Sequence, residues 1–310
     1  TIVIVATGTG SPAERAGARP GDLLLGIDST GVDASRLESA RRLLDGPAGT
    51  TVVLRIRRQG VRSVVTLDVT RGAFAPAPAV SEALLSGGVG SVRVRRFSAG
   101  VTDSVRRAVE RLDAAGAGAL VLDLRGAVGG TLQDGVAIAD LFLGPGLTLA
   151  TSRGRPGSPS MTYADSTASP FGSMPMAVLV NRGTAGAAEA AAGALQDHDR
   201  AIVLGDTTFG RGVTRSTFAL GEGASLRLTT ALWITPSGRQ IQRPARAAAD
   251  SAPRPGVRSD AGRPLLGGGG IVPDREVPDT GDADLPLDAA RKLLLKAGSM
   301  RAVLGLAGAR

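Results

Sequence analysis

Hydrophobic and polar positions in the first 71 residues follow the pattern of a small β-rich domain. An apolar run at residues 2–6 predicts one strand, and residues 51–56 and 63–69 alternate between apolar and polar, which predicts a hairpin of half-buried strands. Residues 37–44 place apolar side chains at helical spacing, and the Gly46-Pro47 pair predicts the end of that helix. These elements together predict one compact domain that ends near Arg71.

The pattern changes in the second part of the chain, where continuous apolar runs alternate with helical periodicity. Strands are predicted at residues 90–94, 119–124, 176–180 and 201–204. Helices are predicted at residues 101–115, 187–195 and 288–296, and from the Gly129-Gly130 pair through Leu141. Continuous apolar runs are typical of parallel strands buried on both faces, so this part predicts an α/β core.

The segments between these patterns define the predicted domain organisation. Residues 72–86 contain prolines among alanines and predict an exposed linker, after which a core is predicted over residues 87–280. Within that core, residues 242–270 are rich in Pro, Arg, Ala and Gly without periodicity, which predicts a long surface loop. Residues 281–310 are predicted to form a C-terminal helical segment.

Composition narrows the possible functions. The chain has no cysteine, which excludes disulfides, thiol nucleophiles and cysteine-ligated metals. Its net charge of +8 and pI near 11.1 would suit nucleic-acid binding, but the arginines are scattered along the sequence and aromatic residues make up only 3%. Without a basic cluster or an aromatic stacking platform, we expect no nucleic-acid partner.

The sequence also leads to expectations about membrane-spanning and signal segments. No apolar run approaches the roughly 20 residues that a membrane-spanning helix requires, so no transmembrane segment is expected in this chain. The first residue is a threonine and no basic-then-apolar signal segment follows it, so the chain is expected to be a piece of a longer protein from which targeting information is missing.

A short motif near the start of the chain joins a helix to two turns. Ser11 can cap a helix that begins at Pro12 and ends at Gly17, and the Pro20-Gly21-Asp22 turn then leads into an apolar run. This arrangement resembles the PDZ module of bacterial proteases, which implies a PDZ-like domain over residues 1–71. In that family the loop that holds a peptide's terminal carboxylate precedes this point, so the resemblance implies a partial domain that does not capture a peptide alone.

Further blocks follow in a fixed order in the second part of the chain. They read LDLRGAVGG at residues 122–130, VLVNRGTAGAAE at 178–189 and GDTTFGRG at 205–212, with shorter matches at 228–231, 235–239 and 270–274. Together they resemble the tail-specific, or C-terminal processing, serine proteases. The resemblance implies an α/β fold, α+β overall, in which the partial PDZ-like domain precedes a layered α/β protease core of the ClpP/crotonase type.

The resemblance assigns the catalytic dyad of this family to two residues that cannot perform its chemistry. These proteases use a serine nucleophile and a neutral lysine as general base. Alignment of the blocks puts the nucleophile at Gly186 and the base at Arg211, 25 residues apart as in the family, and puts a supporting glutamine at Arg215. Glycine has no side chain, and a guanidinium with a pKa above about 12 stays protonated. No catalytic residue is therefore intact, and we expect a pseudoprotease.

No replacement nucleophile or base is indicated. Thr184 has a hydroxyl two positions from Gly186, but at a turn or helix start that offset points it elsewhere. The only lysines, Lys292 and Lys296, lie in the predicted closing helix. The single histidine, His198, lies at a predicted polar helix exit, where a solvated structural role is expected.

The resemblance implies that part of the binding apparatus survives. It assigns the oxyanion hole to the backbone amides of Gly130 and Ala187, which do not depend on side chains. Ala127 and Val128 replace the residues that the family usually has before the glycine pair, so this loop is expected to adopt a different position.

Arg211 adds a fixed positive charge at the former base position. It could bind a peptide carboxylate or pair with Glu189 or Asp206, and an orientation into solvent is the alternative. An aspartic-protease-like pair drawn from Asp123, Glu189 and Asp206 is not indicated by their spacing, so structural roles are expected for these carboxylates.

Three functions are compatible with these observations. The first is a non-catalytic peptide-binding or scaffolding pseudoprotease, and the second is an active serine-type endopeptidase that trims polypeptides from the C-terminal region with an unrecognised nucleophile. The third is a purely structural or assembly module. The resemblance implies polypeptide C-termini or unfolded segments as partners, a homo-oligomer or a partner protease, no cofactor or metal, and a bacterial periplasmic or otherwise extracytoplasmic location.

Overall fold

The computed structural model divides the chain into two compact units, Thr1–Pro78 and Ala79–Arg310. The described residues are 2–4, 7–8, 10–19, 21–33, 37–58, 61–74, 77–165, 168–169, 171–221, 224–244, 256–278, 284–297 and 299–305. In this described part of the chain, no helix combines the length and the hydrophobicity needed to cross a bilayer.

The first unit is an antiparallel sheet with two short helices. Its elements are β1 (Ile2–Val3), α1 (Pro12–Arg15), β2 (Leu23–Ile27), β3 (Thr30–Gly31), α2 (Leu37–Leu44), β4 (Thr51–Arg57) and β5 (Val65–Thr70). The strand order is β1-β2-β4-β5, with β3 paired to β2. Strands β4 and β5 form the predicted hairpin, and alternate side chains of β4, at Val52, Leu54 and Ile56, enter the core as the period of two predicts.

The predicted capping and turn chemistry is present in this unit. The Ser11 hydroxyl accepts a hydrogen bond from the Glu14 amide at 3.1 Å, which caps α1. The buried Asp22 carboxylate accepts from the Arg19 amide at 2.8 Å and from the Arg58 guanidinium. Its hydrogen bond with Arg58 lowers the pKa of Asp22, so this turn is held by a charged network.

The second unit contains the remaining elements in an order that alternates strands and helices. They are β6 (Val80–Leu85), β7 (Val89–Val94), β8 (Arg96–Phe97), α3 (Val101–Ala114), β9 (Ala119–Asp123), β10 (Val128–Gly129), α4 (Leu132–Asp140), β11 (Thr148–Gly154), β12 (Met161–Ala164), β13 (Met176–Val180), α5 (Ala187–Asp197), β14 (Ile202–Gly205), β15 (Val213–Gly221), β16 (Ala224–Ile234), β17 (Gly256–Arg258), β18 (Pro264–Leu266), β19 (Arg275–Glu276), α6 (Leu285–Lys296) and α7 (Met300–Val303).

A six-stranded sheet forms the centre of the second unit, in the order β19-β14-β13-β9-β7-β6. All neighbouring strands are parallel except the antiparallel pair β6–β7. Every residue of β9 and β13 is buried, because α3, α4 and α5 cover one face of the sheet and α6 covers the other. The predicted α/β core is therefore confirmed.

A second, four-stranded antiparallel sheet has the order β12-β11-β16-β15, and the hydrophobic pattern did not predict it. It packs on the opposite side of α4 and α5 from the central sheet through Ala150 and the single tryptophan, Trp233. Helix α5 consequently lies between two sheets, which explains why all of its residues are buried. Its many alanines suit this position, since small side chains allow close packing on every face.

Two segments differ from the sequence prediction. The predicted linker at residues 72–86 contains an edge strand of the central sheet, β6, because its residues pair along the full length of β7. The predicted loop at residues 242–270 contains the short hairpin β17–β18, while residues 245–255 lie outside the described residues. Strand β6 is largely exposed, and strands β17 and β18 are short, so the hydrophobic patterns of all three strands are weak.

The closing helix is held to the central sheet by a buried arginine. Arg125 follows β9, and its guanidinium donates to Asp123 at 2.9 and 2.7 Å and to Asp284, the N-cap of α6, at 2.7 and 2.9 Å. Burial alone would lower the pKa of Arg125, but its hydrogen bonds with the two carboxylates raise it above its usual range. The interaction links residues 159 positions apart in sequence.

Candidate active site

The turn between β13 and α5 carries the predicted nucleophile position, and residues of the LDLRGAVGG block hold it in place. The Asn181 side chain accepts from the Gly126 amide at 2.9 Å. The fully buried Thr184 hydroxyl donates to the Leu124 carbonyl at 2.8 Å and accepts from the Asn181 amide at 3.0 Å. Thr184 therefore stabilises the turn, and its hydroxyl is not available for attack on a bound peptide.

Gly186 has an unusual backbone conformation at the start of α5. Its φ of 73° and ψ of −122° lie in a region that only glycine adopts without strain. A Cβ atom built on Gly186 would meet only the Gly129 carbonyl oxygen, at 3.4 Å, so there is room for a side chain. The sharp entry into the helix is thus retained although this position carries no nucleophile.

The buried Glu189 carboxylate lies beneath this turn and ties it to the third block. One carboxylate oxygen accepts from the Thr208 hydroxyl at 2.5 Å and the Gly210 amide at 2.7 Å. The other oxygen accepts from the Gly186 amide at 3.0 Å and the Arg211 amide at 2.8 Å. Burial raises the pKa of Glu189, and these hydrogen bonds partly offset that effect.

We call Glu189 and its four donors the Glu189 hub. The hub joins the nucleophile and base positions that the resemblance assigned, and it does so through their backbone amides. The sequence predicted a structural role for this carboxylate or an ion pair with Arg211. The contact with Arg211 is made by its amide, whereas its guanidinium lies over the Phe209 ring, 5.0 Å from the ring centroid.

The two residues assigned to the oxyanion hole lie side by side. Gly130 has a φ of 72°, and a Cβ atom built on it would lie 2.9 Å from the Ala187 Cβ and 2.6 Å from the Phe97 Cβ. Ala187 is the first residue of α5, and the first amides of a helix lack intrahelical acceptors. The preceding loop forms β10, which pairs in parallel with β8.

Four of the five predicted site residues line one cavity of about 660 Å³. These are Gly130, Gly186, Arg211 and Arg215, and the fifth, Ala187, is buried directly behind Gly130 and Gly186. The volume falls within the range of about 300–1,000 Å³ that is typical of ligand pockets. The structure therefore brings together residues that are up to 85 positions apart in sequence.

The lining of this cavity is cationic. Arg211, Arg215 and Arg227 contribute to it, and among the described lining residues there is no Asp, Glu, Lys or His. This cluster was not predicted, because Arg227 comes close to Arg215 only through the pairing of β15 with β16. In that pairing Arg215 lies opposite Thr229, and Arg227 lies opposite Thr217.

The remaining candidate bases lie elsewhere in the second unit. His198 was predicted to be solvated, but its side chain is largely buried, with Nδ1 2.7 Å from Asp260 and Nε2 2.7 Å from the Thr148 carbonyl. It is held there because the end of α5 packs beside β11. Lys292 and Lys296 are on α6, on the opposite face of the central sheet from α5.

Comparison with known proteins agrees with this architecture. The family model described as "Peptidase family S41" matches residues 88–250, and the model described as "PDZ domain" matches residues 3–58. The structure of a photosystem II D1 C-terminal processing protease superposes with a TM-score of 0.68 at 28% sequence identity, covering 94% of this chain and 72% of that protein. The fold prediction of a PDZ-like region followed by a protease core is confirmed.

Curated relatives of this chain are also C-terminal processing proteases. Carboxyl-terminal-processing peptidase 2, chloroplastic, of Arabidopsis thaliana is 35% identical over 247 residues, which cover 78% of this chain and 48% of that protein. The carboxyl-terminal-processing protease of Synechocystis is 36% identical over 245 residues, which cover 78% and 57%. The chain thus spans about half the length of these C-terminal processing proteases. With more than half of its own 310 residues matched by the S41 model, it belongs to peptidase family S41.

Proposed function

We propose that this chain is a non-catalytic, peptide-binding member of peptidase family S41. The observation that carries the proposal is the cavity in which Gly186 and Arg211 occupy the assigned dyad positions. A hydroxyl nucleophile and a neutral amine are both required for the serine–lysine mechanism. Neither group is supplied by these two residues, while the backbone amides that the resemblance assigns to the oxyanion hole do not depend on side chains.

The proposed mode of action is retention of a peptide without cleavage. The amides of Gly130 and Ala187 would donate to a peptide carbonyl oxygen, as an oxyanion hole does. No side chain at Gly186 attacks the carbonyl carbon, and the Arg211 guanidinium cannot accept a proton at physiological pH. The bound amide bond therefore stays intact. Supported by the family resemblance, the proposed partners are polypeptide C-termini or unfolded segments, in a periplasmic or otherwise extracytoplasmic location.

The direct test is to incubate the purified chain with an unfolded protein that has an apolar C terminus. We expect no cleavage products by mass spectrometry and no labelling by a hydroxyl-reactive fluorophosphonate probe. The same chain should bind a fluorescent peptide in a polarisation assay. Cleavage that co-purifies with the folded chain would contradict the proposal.

A gain-of-function variant makes the test sharper. Gly186→Ser combined with Arg211→Lys restores the two functional groups of the dyad, and Gly186 has room for a Cβ atom. We expect fluorophosphonate labelling in the double variant, whereas neither single variant should be labelled. Gly144→Ser in the Arg211→Lys background is a matched control, because Gly144 also has free space around it. Labelling of this control would show that the probe does not report the dyad.

An active endopeptidase is the second candidate, and one contact favours it. The Thr131 hydroxyl, in a residue that lines the cavity next to Gly130, donates to the Asp134 carboxylate at 2.9 Å. The bond also belongs to the capping box of α4, which explains it structurally. Peptide turnover that disappears in Thr131→Val and persists in Thr184→Val would favour this second function over the first.

A further inference from the structure

Three arginine side chains give the cavity a chemical character that the dyad substitutions alone do not. From them we infer that the cavity binds the carboxylate of a peptide, supplied either by its C terminus or by an acidic side chain. The inference rests on the proposed function, because it names the ligand class of the same cavity. We refer to Arg211, Arg215 and Arg227 together as the arginine wall.

The arginine wall has free hydrogen-bonding capacity. Some other arginines of the second unit are paired with carboxylates: Arg125 pairs with Asp123 and Asp284, and Arg263 pairs with Asp199 and Asp274. Among the described residues, by contrast, the three arginines of the wall form no salt bridge. Each guanidinium presents five donors in a planar fork that matches both oxygens of a carboxylate.

Strand pairing places two of these side chains on one face. Arg215 lies opposite Thr229 and Arg227 lies opposite Thr217, so the two arginines are diagonal neighbours across β15 and β16. Diagonal neighbours are about 7–8 Å apart at the backbone, a distance that two long side chains can bridge. Like charges at such positions repel each other when no anion lies between them, and a bound carboxylate would relieve that repulsion.

Arg211, at the assigned base position, is the third arginine that lines the cavity. Its backbone is fixed by the Glu189 hub, and its guanidinium stacks on Phe209, which is half exposed. Stacking restricts the orientation of the side chain before any ligand arrives, so less conformational freedom is lost on binding. A guanidinium here is therefore better suited to hold an anion than the flexible ammonium group of a lysine.

The rest of the lining indicates that the carboxylate belongs to a peptide with apolar residues. Leu132, Met161, Tyr163 and Trp233 also line the cavity, and Met161 is largely exposed. A small inorganic anion would leave this apolar surface in contact with water. A short peptide segment with one carboxylate and apolar neighbours can satisfy both parts of the cavity.

The experiment compares four peptides that carry the same apolar sequence and an N-terminal fluorophore. One has a free C-terminal carboxylate and no acidic residue, and one is its C-terminal amide. The third is an amide with an internal Glu, and the fourth is the same amide with Gln in place of Glu. Fluorescence polarisation with the whole chain gives the four dissociation constants at 50 and 300 mM salt.

We expect each peptide that has a carboxylate to bind about 10-fold or more tightly than its neutral counterpart, with the difference shrinking at high salt. The larger of the two differences identifies the source of the carboxylate. Arg215→Gln and Arg227→Gln should each weaken binding of the preferred acidic peptide about 10-fold, a larger effect than on its neutral counterpart. Arg107→Gln, on the exposed face of α3, removes the same charge outside the cavity and should change binding less than about twofold.

The possible outcomes separate this inference from the proposed function. Equal binding of charged and neutral peptides, or equal effects of Arg215→Gln and Arg107→Gln, would overturn the inference and leave peptide binding intact. Arginine-dependent binding that is followed by cleavage would support the carboxylate site and contradict a non-catalytic function. Failure of all four peptides to bind would contradict both.

Discussion

The Glu189 hub and the arginine wall border the same cavity, but they differ in burial, in charge and in hydrogen bonding. At the centre of the hub is a buried carboxylate, and its two oxygens accept four hydrogen bonds from segments that lie close to it in space. The wall consists of exposed guanidinium groups without ion-pair partners among the described residues. The hub fixes backbone positions, whereas the wall offers charge to a ligand.

This difference indicates that the backbone around Gly186 and Arg211 does not depend on the side chains at these two positions. The turn at Gly186 and the loop at Arg211 are positioned by their amides, and Glu189 satisfies those amides whatever the side chains are. Substitution of the side chains therefore leaves the backbone in place. The stability of the fold and the chemistry of the cavity depend on different residues.

The largest expected effect is on the hub. Glu189→Ala would leave three buried donors and the partly buried Arg211 amide without an acceptor, and we expect the free energy of unfolding to fall by about 3–5 kcal/mol. Arg211→Ala removes only an exposed side chain and should cost less than about 1 kcal/mol. Urea unfolding followed by the fluorescence of Trp233, the single tryptophan, reports on the second unit. Similar losses in both variants would remove the distinction between hub and wall.

The second-largest expected loss of stability concerns the loop of Gly130, whose backbone amide was assigned to the oxyanion hole. Gly130→Ala would create contacts under 3.0 Å with Phe97 and Ala187 and force a side chain into a positive φ, so we expect a loss of about 2–4 kcal/mol. Gly126→Ala is the matched control, because Gly126 has a φ of 68° but nothing within 4 Å of a built Cβ. It should cost only about 1–2 kcal/mol. Equal costs would mean that close packing at Gly130 contributes nothing.

A smaller effect is expected at the nucleophile position. Gly186→Ser meets no severe contact but places a side chain at a φ of 73°, which should cost about 1–2 kcal/mol. Gly144→Ser, where the backbone is unrestricted and the space is free, should change the stability by less than about 0.5 kcal/mol. The same urea titration measures both variants. If Gly186→Ser left the stability unchanged, the turn would have to relax away from the conformation described for it.

The smallest expected effect is a pH dependence of the stability, caused by a residue that does not line the cavity. Burial, together with a hydrogen bond from the protonated Asp140 carboxyl to the neighbouring Asp165, raises the pKa of Asp140 to about 6. A carboxyl group whose pKa is higher in the folded state stabilises the fold less as the pH rises from about 4 to about 6. Asp140→Asn should abolish that decrease, so at pH 7.5 the variant should be more stable by about 1–2 kcal/mol and at pH 3.5 about equal.

Thermal unfolding across this pH range measures the effect, with Asp103→Asn on the exposed face of α3 as a control. A pH profile that Asp140→Asn leaves unchanged would place the titrating group elsewhere, and Glu189 would be the next residue to substitute.

Much of the fold could be predicted from the hydrophobic pattern, but not all of it. The buried strands β9 and β13 and the helix α3 were predicted almost to their ends, because parallel central strands and amphipathic helices have strong signals. Strands β15 and β16 were missed. They are exposed on both faces for much of their length, so no alternation marks a buried side.

The site was predicted in the same uneven way. Ordered motifs located Gly130, Gly186 and Arg211, and the structure brings them to one cavity. The role of Glu189 as an acceptor for four donors could not be predicted, because three of those donors lie 19 to 22 residues further along the chain. Arg227 was not predicted as a site residue, since only the cross-strand register places it beside Arg215.

The sequence by itself determined that the assigned dyad positions hold neither a nucleophile nor a base, because these capacities belong to the side chain wherever it lies. Only the tertiary structure decided which groups surround those positions. Backbone amides, a buried carboxylate and three arginines meet there through contacts between distant segments, and local patterns in a sequence carry no record of such contacts. The identity of these two side chains is therefore local information, whereas the proposed carboxylate site is a product of the fold.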